Sequence, residues 1–379
     1  MNISKKRLKN VLSVFDGISV AQLALTKAGI TYEKYYASEI DKNAVSVTMK
    51  HFPETIQLGD IKKLTEFRLN KLGLVGNVDL YIGGSPCTSL SCAAGQKESG
   101  LEKGQSVLFW EYVRILTTVK PKFFILENVA SMKKADKDTI TKILGVEPIL
   151  INSALVSAQS RKRLYWTNIK GIIQPENKGI CLKDILIDGY TERDKSYCVT
   201  ATIKKGCEQD YLLKNSRQMI FINPAVIISV NEKGIKKVVE MQYPDKPIQI
   251  GYIGKGGQAE RIYSINSKSI TLCANGGRRG AKTGLYMITD DSIVEITPET
   301  MRGRLRKLYP VECERLQTLP DNYTEGFSHS VRYKMIGNSF TADVIAHILS
   351  FIDNTSANSV SKRVNFDTIN EHKYIGLWG

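Results

Sequence analysis

No apolar run in this sequence approaches the roughly 18 to 20 residues that a membrane-spanning helix requires. Residues 1–7 are mainly polar and basic, and they lead into a predicted strand and not into the apolar core of a signal peptide. We therefore expect a soluble protein of the cytoplasm.

The cysteines show no pairing pattern. They have neither CxxC spacing nor histidines close by, and the seven stand at positions 87, 92, 181, 198, 207, 273 and 313. Such a pattern indicates neither a disulfide framework nor a zinc site. We expect reduced thiols and no bound metal.

Acidic residues are fewer than basic ones. The 379 residues include 53 Lys and Arg against 38 Asp and Glu, which gives a formal net charge of +15. This excess favours a polyanionic partner, with nucleic acid as the leading candidate, although an ordinary solvated basic surface would look the same. The length is sufficient for a full core and predicts two domains.

The first part of the chain alternates between predicted strands and helices. A strand over 11–15 is followed by a turn over 16–19 and a helix over 20–28, and a second strand ends at Glu39. Gly17 allows a sharp turn and close approach of a ligand, and Glu39 lies at the spacing at which an acid reaches a ribose diol. Because the turn is neither GxGxxG nor GK[ST], pyrophosphate and triphosphate ligands are disfavoured.

Two apolar segments carry reactive side chains at their ends. The predicted strand 78–84 precedes Cys87, and the strand beginning at 123 leads into Glu127. Open α/β sheets place their chemistry at the carboxyl ends of strands, so a thiol and an acid are expected at one edge. A lone cysteine is usually an inert buried thiol, but its pairing with an acid favours a catalytic role.

Several short blocks occur in an order typical of one enzyme family. They are 15–19 (FDGIS), 37–40 (ASEI), 59–61 (GDI), 84–87 (GSPC), 127–129 (ENV), 159–163 (QSRKR), 306–312 (RKLYPVE), 315–317 (RLQ) and 337–340 (GNSF). With these blocks the chain resembles the C5-specific DNA cytosine methyltransferases, with local similarity to the animal de novo enzymes. The chain departs from the usual pattern at Ser19 and Thr88, and both substitutions resemble what the animal enzymes tolerate.

The resemblance implies a fold, a cofactor and a set of binding residues. The fold would be a doubly wound, mostly parallel α/β sheet of the S-adenosylmethionine-dependent methyltransferase type, with a smaller, mainly β target-recognition domain. S-adenosylmethionine would be the cofactor. Its expected binding residues are Phe15, Asp16, Gly17, Ile18, Ser19, Glu39, Ile40, Asp60, Ile61, Ser85, Asn338 and Ser339.

The resemblance also implies a covalent mechanism on a cytosine flipped out of duplex DNA. Cys87 would add to C6, protonated Glu127 would bind N3, and Arg163 would bind O2. Arg161 would hold either Glu127 or the glycine-containing segment 88–105, which we expect to close over the base.

Sequence recognition is assigned to residues 172–300, where the strand–helix alternation gives way to short strands, including a hairpin predicted from 225–230 and 236–240. The expected DNA-contacting residues are Thr271, Leu272, Gly276, Gly277, Arg278 and Arg279. A weaker echo of this stretch lies at 195–206, and two unrelated surface hairpins are the alternative. The domains would thus be 1–171 and 301–352 for catalysis, 172–300 for recognition, and a tail over 353–379.

The final blocks predict a helix beginning near Pro310 and a last helix over 340–351, for which Ser339 is also a candidate N-cap.

About ten residues precede the first strand, so we expect a stand-alone enzyme of bacterial or phage type. It would act as a monomer on DNA, with a cognate restriction endonuclease as a candidate partner. A transfer-RNA cytosine-5 methyltransferase of the same fold and an inactive DNA-binding relative remain as alternatives.

Overall fold

The computed structural model describes residues 6–85, 108–189, 191, 193–205, 207, 210–211, 214, 216–221, 227–230, 236–239, 249–252, 261–264, 285–287 and 305–352. The chain divides into two compact units. The first comprises Met1–Cys181, Cys198–Lys204 and Tyr309–Gly379, and the second comprises Leu182–Tyr197 and Lys205–Leu308. Residues 172–181 and 198–204 thus group with the first unit, whereas 301–308 group with the second.

The first unit is built on a seven-stranded sheet in the order β3-β2-β1-β4-β5-β7-β6. Its strands are β1 (Arg7–Val14), β2 (Thr31–Ser38), β3 (Ile56–Gln57), β4 (Leu80–Gly83), β5 (Phe123–Val129), β6 (Ile149–Asn152) and β7 (Lys162–Thr167). The strands β1 to β5 pair in parallel, and β7 runs antiparallel to both β5 and β6.

The strand order reverses between β1 and β4, where Val14 pairs with Gly83. A reversal of this kind opens a crevice at the carboxyl ends of the two strands, and ligands of open α/β sheets bind there. The segments that follow β1 and β4 are therefore the ones in which binding residues are expected.

Eight helices are described in the first unit. They are α1 (Val20–Lys27), α2 (Lys42–His51), α3 (Glu66–Lys71), α4 (Leu108–Val119), α5 (Lys134–Leu144), α6 (Pro310–Leu316), α7 (His329–Asn338) and α8 (Ala342–Ser350). Asp41 caps α2 by accepting from the amide of Asn43, and Pro310 occupies the first turn of α6, where its missing N–H costs nothing. Among these described helices, none is long and apolar enough to cross a membrane.

The sheet is covered on both faces, because alternate residues of each buried strand point in opposite directions. On one face, Val11 and Ile82 pack with the apolar side of α1 and α8. On the other face, Leu12 and Tyr81 pack with α3, α4 and α5. The α/β, doubly wound and mostly parallel architecture expected from the sequence is confirmed.

In the part of the second unit that the structure describes, short strands form three small sheets. Its strands are β8 (Met219–Phe221), β9 (Ile227–Val230), β10 (Lys236–Val239), β11 (Gln249–Tyr252), β12 (Arg261–Ser264), β13 (Leu285–Met287) and β14 (Leu305–Lys307). The antiparallel pairing of β9 with β10 confirms the predicted hairpin.

The strand that pairs with β7 is β6, and Ser153–Leu155 between them forms a turn of 3₁₀ helix capped by Asn152. The expectation for the start of the last helix was wrong. The last helix begins at Ala342, and its N-cap is Thr341. Ser339 instead follows the end of α7, and its hydroxyl donates to the carbonyl of Ile336.

Candidate active site

The turn after β1 has an unusual backbone. Phe15, Gly17 and Ser19 all have positive φ, with values of 55°, 58° and 58°. This conformation is uncommon for residues other than glycine, and such strain concentrates at functional sites. A Cβ built on Gly17 would meet nothing within 4 Å, so the turn borders open space.

Glu39 fastens this turn to the end of β2. One carboxylate oxygen accepts from the amide of Gly17 at 2.8 Å, and the other accepts from the amides of Ile40 and Asp41, also at 2.8 Å. Two carboxylate oxygens together offer about four acceptor sites, so capacity remains for a ligand hydroxyl. Glu39 is thus both an anchor of the turn and a candidate ribose ligand.

Asp16 lies beneath the turn and is buried. The hydroxyl of Tyr35 donates to its carboxylate at 2.7 Å. Burial raises the pKa of Asp16 to about 6, an effect that the hydroxyls of Ser13, Tyr35 and Ser19 partly offset. Asp16 therefore supports the turn from below, and its carboxylate is linked to the sheet.

The adjacent loops contribute the remaining residues of this group. Asp60 accepts from the amide of Lys62 and begins a short 3₁₀ helix in which Ile61 is buried. Ile40, by contrast, is 73% exposed at the edge of the turn, an unusual position for a large apolar side chain. An exposed apolar surface beside polar acceptors suits a ligand that has both a flat apolar part and hydroxyl groups.

The ends of β4 and β5 lie side by side. The side-chain Nδ2 of Asn128 donates to the hydroxyl of Ser85 at 3.2 Å. A Cβ built on Gly84 would lie 3.2 Å from Oε2 of Glu127. Glu127 thus faces the last described residues before the expected nucleophile. Cys87 follows Ser85 by two residues and lies outside the described residues, as do 88–105.

Arg163 on β7 reaches Glu127 on β5, with Nε 2.9 Å from Oε1. The two side chains are 15% and 12% exposed, so the pair is largely removed from bulk water while still reachable by a ligand. The antiparallel pairing places Arg163 opposite Val129, two residues from Glu127 on the same face of the sheet.

Arg161 is buried, and the hydrogen bonds described for its guanidinium go mainly to backbone carbonyls and not to Glu127. Its guanidinium donates to the carbonyls of Val199 at 2.7 Å, Gly337 at 3.3 Å and Ser339 at 3.0 Å. It therefore ties β7 to two distant parts of the first unit. The packing between those parts is tight, since a Cβ on Gly337 would lie 2.3 Å from the backbone nitrogen of Ala201.

The structure brings the expected cofactor residues after β1, β2, β3 and β4 to one edge of the sheet, together with Glu127 and Arg163. Asn338 is exposed at the end of α7, and Ser339 beside it is buried. The expected DNA-contacting residues 271–272 and 276–279 lie outside the described residues, as does the tail. Among the described residues, no group of three or more His, Cys, Asp or Glu side chains could hold a metal ion.

Two buried glutamines belong to the surroundings of the site, although no role was assigned to them from the sequence. Gln159 donates to Oε1 of Gln317 at 2.8 Å. Both stand inside the blocks QSRKR and RLQ, so the blocks were the available signal, but their contact joins residues 158 positions apart.

A family model described as C-5 cytosine-specific DNA methylase matches residues 9–354. The chain belongs to this family, and it is a DNA (cytosine-5) methyltransferase by the family and by the names of its relatives. The resemblance stated from the sequence blocks is confirmed.

Relatives align over most of the chain. It is 28% identical to the type II methyltransferase M.HhaI of Haemophilus parahaemolyticus, over 92% of this chain and 96% of the relative. It is 26% identical to the orphan methyltransferase M.SPRI of Bacillus phage SPR, over 93% and 99%.

Solved structures share the fold at lower identity. The Entamoeba histolytica methyltransferase EhMeth superposes with a TM-score of 0.53 at 17% identity, covering 91% of this chain and 97% of that one. A Spodoptera frugiperda DNMT2 mutant gives 0.55 at 18%, covering 90% and 99%.

Proposed function

We propose that the protein transfers a methyl group from S-adenosylmethionine to C5 of a cytosine flipped out of a specific duplex DNA sequence. The observation that carries this proposal is the Glu127–Arg163 pair, which lies at the carboxyl edge of the sheet beside Gly84 and Ser85. An acid and a guanidinium at this position can neutralise charge on a pyrimidine ring. Family membership supports cytosine C5 as the methylated atom.

The residues after β1 to β3 fit the cofactor. Open space borders Gly17, Ile40 is exposed, and Glu39 retains acceptor capacity. Glu39 would bind the ribose hydroxyls, Ile40 would cover the adenine, and Asp60 would accept from the adenine amino group. When bound, S-adenosylmethionine supplies an electrophilic methyl group.

The chain's own residues would prepare the cytosine. The thiolate of Cys87 would add to C6, which makes C5 nucleophilic. A proton carried by Glu127 would be given to N3 as negative charge develops there, and Arg163 would bind O2 while orienting Glu127. Once C5 carries the methyl group, the C5 proton would pass to a water molecule and the N3 proton would return to Glu127. Elimination of the sulfur would then release the methylated base and restore the Cys87 thiolate.

Sequence recognition is proposed for the second unit, with its short paired strands. Residues 271–272 and 276–279, which include Arg278 and Arg279, would contact base edges or phosphates. Arg161, given its carbonyl contacts, would support the catalytic edge instead of touching the base. The enzyme would act as a monomer on DNA, with a cognate restriction endonuclease as a candidate partner.

Incubation with methyl-labelled S-adenosylmethionine tests the proposal. The expected result is label in duplex DNA at C5 of cytosine within one sequence, which bisulfite sequencing of DNA from an expressing host would identify. If label is found in transfer RNA and not in DNA, the substrate is transfer RNA and the proposed DNA substrate is wrong. Binding of duplex DNA without any label would favour an inactive relative and overturn the catalytic proposal.

A further inference from the structure

The segment that joins α7 to α8 accepts hydrogen bonds from one buried amide, in addition to those from Arg161. Nε2 of Gln317, at the end of α6, donates to the carbonyls of Ile336 at 3.0 Å and Ser339 at 3.3 Å. These two carbonyls stand on either side of Asn338, which is exposed. Gln317 itself has no exposed surface, so water does not compete for these hydrogen bonds.

The orientation of that amide is fixed by its neighbours. Oε1 of Gln317 accepts from Nε2 of Gln159 at 2.8 Å and from the hydroxyl of Thr341 at 2.9 Å. With two donors facing Oε1, the Nε2 end must face the carbonyls, because the flipped amide would place oxygen against oxygen and donor against donor. Of the two flip orientations of the Gln317 amide, these neighbours allow one.

Gln159 is itself fixed. Its Nε2 also donates to the carbonyl of Leu316, and its Oε1 accepts from the amide of Val199 at 3.2 Å. The chain of contacts therefore runs from the segment Cys198–Lys204 through Gln159 and Gln317 to the α7–α8 junction. All of these residues belong to the first unit.

Stability alone is a weak reason for this arrangement. Replacing both members of a buried hydrogen-bonded pair by apolar groups of the same shape is often nearly neutral for folding. A buried polar network instead specifies one geometry, since each unmet donor or acceptor is costly. The geometry specified here is that of the backbone around Asn338.

We infer that Gln317 is a positioning residue for cofactor binding, which holds the backbone on both sides of Asn338 in the conformation that receives S-adenosylmethionine. The inference rests on the proposed function and on the expected part of Asn338 and Ser339 in cofactor binding. The next residue, Phe340, lies beside the end of β4, since a Cβ built on Gly84 would be 2.9 Å from its ring. Gln159 and Thr341 act through Gln317 by fixing its amide.

Two near-isosteric variants test this role, Gln317→Met and Thr341→Val. Thr341 makes no side-chain cap hydrogen bond to α8, so its valine variant removes the hydroxyl without loss of a cap. The control is Trp166→Phe, which removes a partly buried hydrogen bond to Thr141. Trp166 packs on the face of the sheet that α3, α4 and α5 cover, so this variant lowers stability away from Asn338.

Calorimetry with S-adenosylmethionine and steady-state kinetics are measured on all four proteins, and thermal unfolding shows that each is folded. Gln317→Met is expected to weaken cofactor binding about tenfold and to raise KM equally, and Thr341→Val about threefold. The kcat at saturating cofactor should stay within about twofold of the parent in both. Trp166→Phe should bind the cofactor as the parent does.

Unchanged cofactor affinity in a folded Gln317→Met protein would overturn the inference while leaving the proposed function intact. If Gln317→Met fails to fold, Thr341→Val decides, and its unchanged affinity has the same meaning. If Trp166→Phe weakens cofactor binding as much as Gln317→Met does, the loss of affinity results from general instability, and the inference is overturned too. A parent protein that binds no S-adenosylmethionine would instead overturn the proposed function, and the inference with it.

Discussion

Nε of Arg163 lies 2.9 Å from Oε1 of Glu127, and the pair connects β7 to β5 at the edge where β4 also ends. Both side chains are mostly sheltered from water, so solvent competes little for the contact between them. The acid is therefore already oriented before a base arrives. Such preorganised groups are effective because they need not rearrange during the reaction.

Glu127→Gln should lower kcat by about 100-fold or more, the usual contribution of a positioned proton donor. The amide keeps the shape of the side chain, so binding of duplex DNA and cofactor should be little changed. Glu147→Gln, a change of an exposed glutamate in the same unit, is the control and should be fully active. Single-turnover rates would show this, and a fully active Glu127→Gln protein would remove Glu127 from the chemistry.

Glu39→Ala should weaken S-adenosylmethionine binding by about 1 to 3 kcal/mol, because charge-assisted hydrogen bonds are lost. The cause is double: the ribose loses its acceptor, and the amide of Gly17 loses the carboxylate that anchors the turn. Glu33→Ala is the matched control, since Glu33 lies on β2, which Glu39 follows, and it is exposed and pairs with Arg7 at 3.3 Å. Calorimetry that gives equal affinities for the two variants would remove Glu39 from the site.

Asp16→Asn should stabilise the protein at neutral pH. Burial raises the pKa of Asp16 from 3.8 to about 6, so between these values the folded protein binds more protons than the unfolded chain. Protonated Asp16 therefore contributes its full stabilisation below the pKa that the side chain has in the unfolded chain. This stabilisation is lost as the pH rises through the pKa of Asp16 in the folded protein.

The rise of the pKa from 3.8 to about 6 corresponds to about 3 kcal/mol, which is the largest gain expected for Asp16→Asn above pH 6. Below about pH 4 the two proteins should be equally stable. Chemical denaturation from pH 3.5 to 8 measures the difference. A constant offset across this range would mean that the pKa of Asp16 is unshifted.

Arg332→Met should lower the free energy of unfolding by about 3 kcal/mol, since it leaves the fully buried Glu314 without its cation. The loss should lie at the lower end of the known range because Glu314 also accepts from Asn322 and Thr324. Arg315→Ala breaks an exposed pair with Asp321 close by, and it should cost no more than about 1 kcal/mol. If the two variants lose similar free energies of unfolding, burial of Glu314 does not make its ion pair more important than the exposed one.

Local pattern was sufficient for much of the fold. The apolar runs of β1, β4 and β5 and the periodicity of α1 depend on neighbouring residues, so their positions could be predicted from the sequence. The end of β4 and the end of β5 could likewise be placed at one edge, because parallel strands share a direction.

Long-range contacts could not be predicted in the same way. Nothing local to Arg161 indicates that its guanidinium would bind Val199 and Ser339, or that Gln159 would meet Gln317. The grouping of Cys198–Lys204 with the first unit has the same origin, since it depends on packing against Gly337 and not on the segment's own composition.

The most direct measurement of the central claim is covalent trapping. A duplex that carries the mapped sequence with 5-fluorocytosine at the target is incubated with S-adenosylmethionine and the enzyme, then analysed on a denaturing gel. Because fluorine cannot leave C5 as a proton does, elimination is blocked after methyl transfer, and the parent protein should remain bound to the DNA. Cys87→Ala should give no such complex. A parent complex that dissociates on denaturation, or a trapped Cys87→Ala protein, would contradict the account.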